Sequence, residues 1–296
     1  MPPVVAPALQ ADMADRDSQL GADVGWPATP RKSRGLILVS VVRRYVWVVL
    51  GMLLFVGIWQ WLSLRLPSSQ LASPREVVNN LIGNFLLDPP MEAFGFGPVG
   101  YGHLLFFTIK GVVLGTTIGG LVGVIGGLAL ARTRLVRNAL EPILLTLGTL
   151  PVLAAAPLLV LWFGIVSYTQ ALLVALYTAI LLTQFAQRAA DNLDPVYEAR
   201  AKTCSASQWI QLRTILLPAV IPEILGGLRI SLAFAWGLEV FAETLGAPSG
   251  IGQAILTLAN TDDVAGILAC VLLIGLTAIV FDVVLVFGAK VVSAWR

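Results

Sequence analysis

The chain has 296 residues, 57% of them hydrophobic and only 12% charged, with a mean hydropathy of +0.85. Those values exclude a soluble globular domain, in which about 25% of residues carry charge. The net charge of +2, with basic residues in short clusters between apolar runs, excludes a nucleic-acid-binding surface.

Residues 1–34 are rich in Ala, Pro and Asp, carry no apolar periodicity, and are expected to form a disordered tail. No small-residue cleavage site follows them, which argues against a removed signal peptide. Residues 35–296 then read as one membrane domain. A span takes about 20 apolar residues, so the piece 35–42, bracketed by Arg34 and by Arg43 and Arg44, reads as an interfacial turn.

The first span is predicted over 45–64, with Trp47, Trp59 and Trp61 at interfacial depth. An amphipathic helix over 74–87 should lie along the membrane surface. The second span, 104–131, carries Gly111, Gly115, Gly119, Gly123 and Gly127 at four-residue intervals, which puts one smooth face against another backbone. The third, 140–163, is interrupted by Pro142, Pro151 and Pro157 and must be kinked or locally unwound. A fourth covers 171–185, a polar loop of helical pattern runs over 186–217, and two further spans cover 221–245 and 264–289. The expected fold is therefore all-α and polytopic, with about six transmembrane helices. Arg and Lys concentrate before span one, after spans two and four, and at the C-terminus, so both termini and the 186–217 loop are expected in the cytoplasm.

The 186–217 loop holds Tyr197-Glu-Ala-Arg-Ala-Lys-Thr-Cys-Ser-Ala-Ser and ends in Ile215-Leu-Leu-Pro218. It resembles the cytoplasmic signature of binding-protein-dependent ABC importer permeases: Glu-Ala-Ala, three residues, Gly, nine residues, Ile, one residue, Leu-Pro. The spacing fits with Ala199-Arg200-Ala201 in the first position, although Ser205 stands for the Gly and Glu198 lies one residue early. The runs Leu71-Ala-Ser-Pro-Arg-Glu-Val, Leu161-Trp-Phe-Gly-Ile, Gly226-Gly-Leu-Arg-Ile, Ala235-Trp236 and Ala242-Glu-Thr-Leu-Gly-Ala-Pro-Ser-Gly-Ile-Gly are similar to the nitrate/sulfonate/taurine/bicarbonate branch. The resemblance implies a type I importer permease in the cell inner membrane, carrying a small anion. It also implies a coupling helix over Glu198, Ala199, Arg200, Ala201, Lys202, Thr203, Cys204, Ser205, Ala206 and Ser207, stopped by Pro218, that docks on a partner ATPase. ATP and Mg would sit on that partner, and an external solute-binding protein and a second permease copy would complete the assembly.

A path or gate is expected from Pro151 and Trp162 in the third span and from Trp236, Glu239 and Glu243 in the fifth. Ionisable groups inside a span are costly and point to function. Glu243 reads either as a gate residue or as a hydrogen-bonded cap, and Glu239 either as a path residue or as an ion-pair partner of Lys110. The residues offer no catalytic machinery: His103 stands alone at a span boundary, Cys204 and Cys270 have no metal spacing, and the glycine pairs lack the Gly-Lys-Ser/Thr of a phosphate loop. An ion-coupled secondary transporter would use the carboxylates but normally shows paired repeats. A related permease for a non-anionic solute such as a thiamine precursor is the other alternative.

Overall fold

The computed structural model describes residues 34–88, 95–194, 196, 197, 203 and 207–292, and all regular structure among them is helical. It divides into two compact units, of which the first ends at Ile58 and the second begins at Trp59. In the first unit the described residues form the body of α1, Arg34–Ser63. The separate interfacial turn expected over 35–42 is not formed, because no proline stands between Gly35 and Ser63 and arginine is a good helix former, so Arg43 and Arg44 are carried within α1.

The second unit opens with α2, Pro74–Gly83, whose start is set by a capping box: the Glu76 amide donates to Ser73 Oγ at 3.3 Å and the Ser73 amide to Glu76 Oε2 at 2.8 Å. Pro74 fits the first turn because its missing N–H would have no partner there. Val77 on α2 is fully buried in a cluster with Tyr101, Leu104, Ile251, Ala254 and Cys270.

Helix α3 spans Tyr101–Arg132. It packs along α6, Ser167–Asp191, through four of its glycines. A Cβ added at Gly115 would lie 2.6 Å from the Ala171 carbonyl oxygen, and one at Gly123 would lie 2.7 Å from that of Ala179. Gly119 and Gly127 abut the Ala175 and Thr183 carbonyls in the same way. Both partners advance by four residues together, so α3 and α6 run parallel with backbones in contact. Gly111, one turn earlier, faces the Glu239 carboxylate instead.

Two parallel neighbours need a return crossing between them. It is made by α4, Arg134–Thr149, a 3-10 turn over Val152–Ala155, and α5, Ala156–Phe163. The two parts meet at a 93° bend. Going along α4, Arg137 pairs with Asp191, Glu141 accepts from Gln187, and Gly148 lies beside Gln184. Beyond the bend α5 ends near the start of α6, where Thr169 Oγ1 donates to the Gly164 carbonyl at 2.9 Å. The broken segment therefore travels the length of α6 in the opposite sense and completes a crossing. The break falls at Leu150-Pro151, whereas Pro142 is carried inside α4.

Helix α6 continues to Asp191, past the expected start of the loop at 186. Chain direction resumes with α7, Gln208–Gln211, a wide turn over Leu212–Leu216, and α8, Leu217–Thr244. Pro218 and Pro222 cannot donate to the preceding turn, and the wide turn absorbs that mismatch just before them. A short helix α9, Ile251–Asn260, leads to α10, Val264–Val292. Among the described residues five helical segments are long and apolar enough to cross a membrane, and the bent pair, counted as one span, makes six.

The glycine face gives a test with a sign. In a helix Gly→Ala ordinarily gains about 1 kcal/mol, and Gly275→Ala, where a Cβ meets nothing, should hold or raise the thermal midpoint of the purified protein. Gly119→Ala drives a methyl into the Ala175 backbone and should lower stability by about 1–3 kcal/mol.

Candidate functional site

The interior side of α8 carries Trp236, Glu239 and Glu243 at helical spacing, and both carboxylates are 0% exposed. Glu243 is fully engaged. Thr108 Oγ1 on α3 donates to Glu243 Oε1 at 2.8 Å, and the Gly252 amide in the first turn of α9 donates to Oε2 at 2.7 Å. The Ile251 amide donates in turn to Thr108 Oγ1 at 3.0 Å. A carboxylate at a helix N-terminus satisfies free backbone donors and opposes the positive end of the helix dipole. Gly250, with φ of 120°, is required there, since a Cβ would collide with the carboxylate. This is the cap geometry, and it ties α3, α8 and α9 together at one point.

Glu239 is different. Neither of its carboxylate oxygens has a hydrogen-bond partner among the described residues, and its neighbour is Gly111, where no side chain intervenes. The ion pair with Lys110 is not formed: Lys110 sits on the exposed side of α3 and turns back a full turn, its Nζ 4.4 Å from the Phe106 ring centroid. That direction carries the ammonium toward the start of α3 and the membrane edge. Trp236 is 3% exposed and packs edge-on against Phe281, ring centroids 5.3 Å apart.

Pro151 and Trp162 lie elsewhere. Pro151 lines a cleft of about 260 Å³ at the broken crossing, with Tyr177, Gln184, Phe234 and Leu238 among its walls. Tyr177 and Phe234 are in tilted ring contact there, their centroids 5.8 Å apart. Trp162 is 67% exposed on α5. The structure thus groups Trp236, Glu239 and Glu243 on one buried face and leaves Pro151 and Trp162 apart from them.

Of the coupling segment, Glu198, Ala199, Arg200, Ala201, Lys202, Cys204, Ser205 and Ala206 lie outside the described residues. Thr203 and Ser207 are exposed, and Ser207 Oγ accepts from the Ile210 amide at 3.4 Å. Pro218 occupies the first turn of α8. It borders a concavity of about 660 Å³ shared with Asn192, Asp194, Tyr197, Thr214 and Glu223. Among the described residues no three His, Cys, Asp or Glu side chains converge as metal ligands.

Among the described residues the chain thus offers up to six crossings, one of them broken at a proline, with a polar segment following the parallel pair. Residues 111–295 match the family described as binding-protein-dependent transport system inner membrane component. The chain belongs to this family. As one of these permeases it is a multi-pass inner-membrane component of a binding-protein-dependent ABC importer.

The permease is 27% identical to the nitrate import permease protein NrtB of Synechococcus elongatus over 86% of this chain and 96% of that one. It is 30% identical to the taurine transport system permease protein TauC of Escherichia coli over 58% of this chain and 66% of that one. Its fold is similar to a solved inward-facing MetNI methionine ABC transporter, with a TM-score of 0.59 at 14% identity, covering 70% of this chain and 99% of that one.

Gly250 and Gly252 close the run from Ala242 that the sequence singles out, but Thr108 is not legible there, because nothing in a threonine 135 positions away marks it as the partner of Glu243. Arg229, read from the sequence only as part of the run Gly226-Gly-Leu-Arg-Ile, and Asp282 are each a charge inside an apolar span, and the structure pairs them.

The two carboxylates are separable by stability. Replacing Glu243 with Leu, or Thr108 with Val, leaves buried donors unpaired and should cost about 1–3 kcal/mol. Replacing Glu239 with Gln removes no hydrogen bond and should leave the thermal midpoint unchanged. Hydrogen exchange at the Ile251 and Gly252 amides should rise in the Glu243→Leu variant alone of the two glutamate variants.

Proposed function

We propose that this permease moves a small oxyanion, such as nitrate, bicarbonate or an organosulfonate, into the cytoplasm as a homodimer with two ATPase subunits and an external binding protein. The observation that carries this reading is the similarity to a nitrate import permease along 96% of that protein's length, supported by taurine and aliphatic sulfonate permeases among the relatives. ATP and Mg would be held by the partner ATPase. The basic residues at 43–44, 132–137, 188–202 and 290–296 would lie on the cytoplasmic side, with both termini.

The coupling segment at 198–207 would dock on the ATPase, and the geometry on either side of it supplies a transmission. It begins a short stretch past the end of α6 at Asp191, and that end is clamped to α4 by the Arg137–Asp191 pair and by Gln187 donating to Glu141 at 2.9 Å. Motion of the loop would carry α4 with it. The bend at Leu150-Pro151 would be the hinge, since the first turn beyond it is closed by its own short bond from the Ala154 amide to the Pro151 carbonyl.

A second reading, import of a thiamine precursor, draws on 25% identity to the formylaminopyrimidine transport permease ThiX of Halalkalibacterium halodurans over 75% of this chain. One experiment separates them. The permease is expressed with its ATPase and binding protein in cells lacking nitrate and taurine uptake, and accumulation of nitrate, bicarbonate, taurine and formylaminopyrimidine is measured. Uptake of an anion, abolished by ATP depletion and unaffected by a protonophore, is the expected result. Accumulation of formylaminopyrimidine alone would establish the second reading, and collapse of uptake with the proton gradient would point to a secondary transporter. In the same assay Ser205→Arg should abolish uptake at normal membrane abundance, by placing bulk and charge where the ATPase must close around the loop.

A further inference from the structure

The open side of α8 carries a pair of charges that lipid would not accept. Arg229 donates from Nε to Asp282 Oδ1 on α10 at 2.5 Å and from Nη2 to Oδ2 at 2.7 Å. Both side chains are open, Arg229 at 55% and Asp282 at 38% relative exposure. Arg229 lies twelve residues from the start of α8 and fifteen from its end, or roughly 20 Å from either at about 1.5 Å per residue. Asp282 lies eighteen residues from the start of α10 and ten from its end, about 15 Å from the nearer end, and the hydrocarbon layer is about 30 Å thick, so this pair sits inside it. Lys110 can turn back toward the membrane edge, but an arginine locked in a two-pronged bond to a neighbouring helix cannot. A half-exposed ion pair held at that depth needs water or protein over it.

The rest of this face suits a path. Gly226, Ile230, Ala233, Gly237 and Phe241 recur every three or four residues beside Arg229, and all are exposed. A Cβ at Gly226 or Gly237 would meet nothing. The strip is therefore smooth, uncharged except at Arg229, and bounded by Phe234, which lines the cleft at the broken crossing.

We infer that this face of α8 lines the solute path and that Arg229, held in place by Asp282, is its anion-contacting residue. The assignment rests on the anionic reading of the function. The chemistry lies in how the guanidinium is divided. Asp282 takes the Nε and Nη2 edge, and the Nη1 donors have no partner among the described residues. A planar guanidinium fixed on one edge presents its remaining N–H groups in a set direction, which matches the flat oxygens of nitrate or the three oxygens of a sulfonate. Because Asp282 already balances the charge, a passing anion is held weakly and released, as a transport site requires.

The test uses the full complex in proteoliposomes, with Cys204 and Cys270 replaced by Ala and Ala233→Cys introduced one turn from Arg229. An anionic sulfonate-bearing thiol reagent and a cationic ammonium-bearing one are applied in parallel, and nitrate and taurine uptake are measured on the same variants without the added cysteine. The anionic reagent should react, about tenfold more slowly after Arg229→Gln and faster after Asp282→Asn, with the cationic reagent shifting the other way. Uptake should follow with opposite signs: Arg229→Gln raises the KM for the anion, and Asp282→Asn lowers it while slowing turnover. A pair that only clamps two helices predicts instead that both variants change KM and labelling in the same direction, which would overturn the assignment. Failure of both reagents to reach position 233 would overturn it too, by showing a face sealed in lipid or between permease copies. Labelling with the expected signs in a complex that takes up neither nitrate nor taurine would support the path and its anion contact, and would overturn the substrates proposed above.

Discussion

The architecture depends on the backbone contact between α3 and α6. Four glycines at 115, 119, 123 and 127 let one helix lie directly on the carbonyls of the other, and the contact is parallel. In lipid there is no hydrophobic gain from bringing two apolar helices together, so close approach and dispersion must hold them, and small residues are what permit it. A parallel pair cannot be joined by a short turn. The chain between them must recross, and it does so in two pieces around Pro151.

That broken return explains the cleft. A membrane tolerates an interrupted helix only where protein or a watery cavity covers the freed backbone. Here α6 and α8 supply the cover, with Tyr177, Gln184, Phe234 and Leu238 around Pro151. At the opposite end of the return, α4 is joined to the last turns of α6 by the Arg137–Asp191 pair and by Gln187 donating to Glu141.

Charged groups in this bundle are sorted by what surrounds them. Glu243 is consumed by three-helix capping, each oxygen taken by a named donor. Glu239 lies one turn away with its carboxylate against Gly111 and no hydrogen-bond partner among the described residues. Arg229 and Asp282 satisfy each other on the open side. Three carboxylates inside apolar spans thus have three distinct environments, and residue type alone does not tell them apart.

The sequence by itself determined the class, the apolar crossings, the four-residue glycine period and the family, because each is a property of composition, local period or a contiguous run; that Gly111 leaves the glycine contact for Glu239 is tertiary. The spans over 104–131 and 264–289 lie within α3 and α10, and the run at 71–77 is the capping box that starts α2. Local signals were weaker where helices simply continue: the 35–42 piece belongs to α1, and α6 outlasts its apolar stretch to Asp191, since polar residues extend a helix as well as apolar ones do. Only the tertiary structure decided which partner each buried charge meets. Thr108 reaches Glu243 across 135 positions and Arg229 reaches Asp282 across 53, and no local period carries that information. It also decided that the third crossing breaks at Pro151 and not at Pro142. A proline inside a helix removes one hydrogen bond, and whether the chain bends there is settled by the helices packed around it.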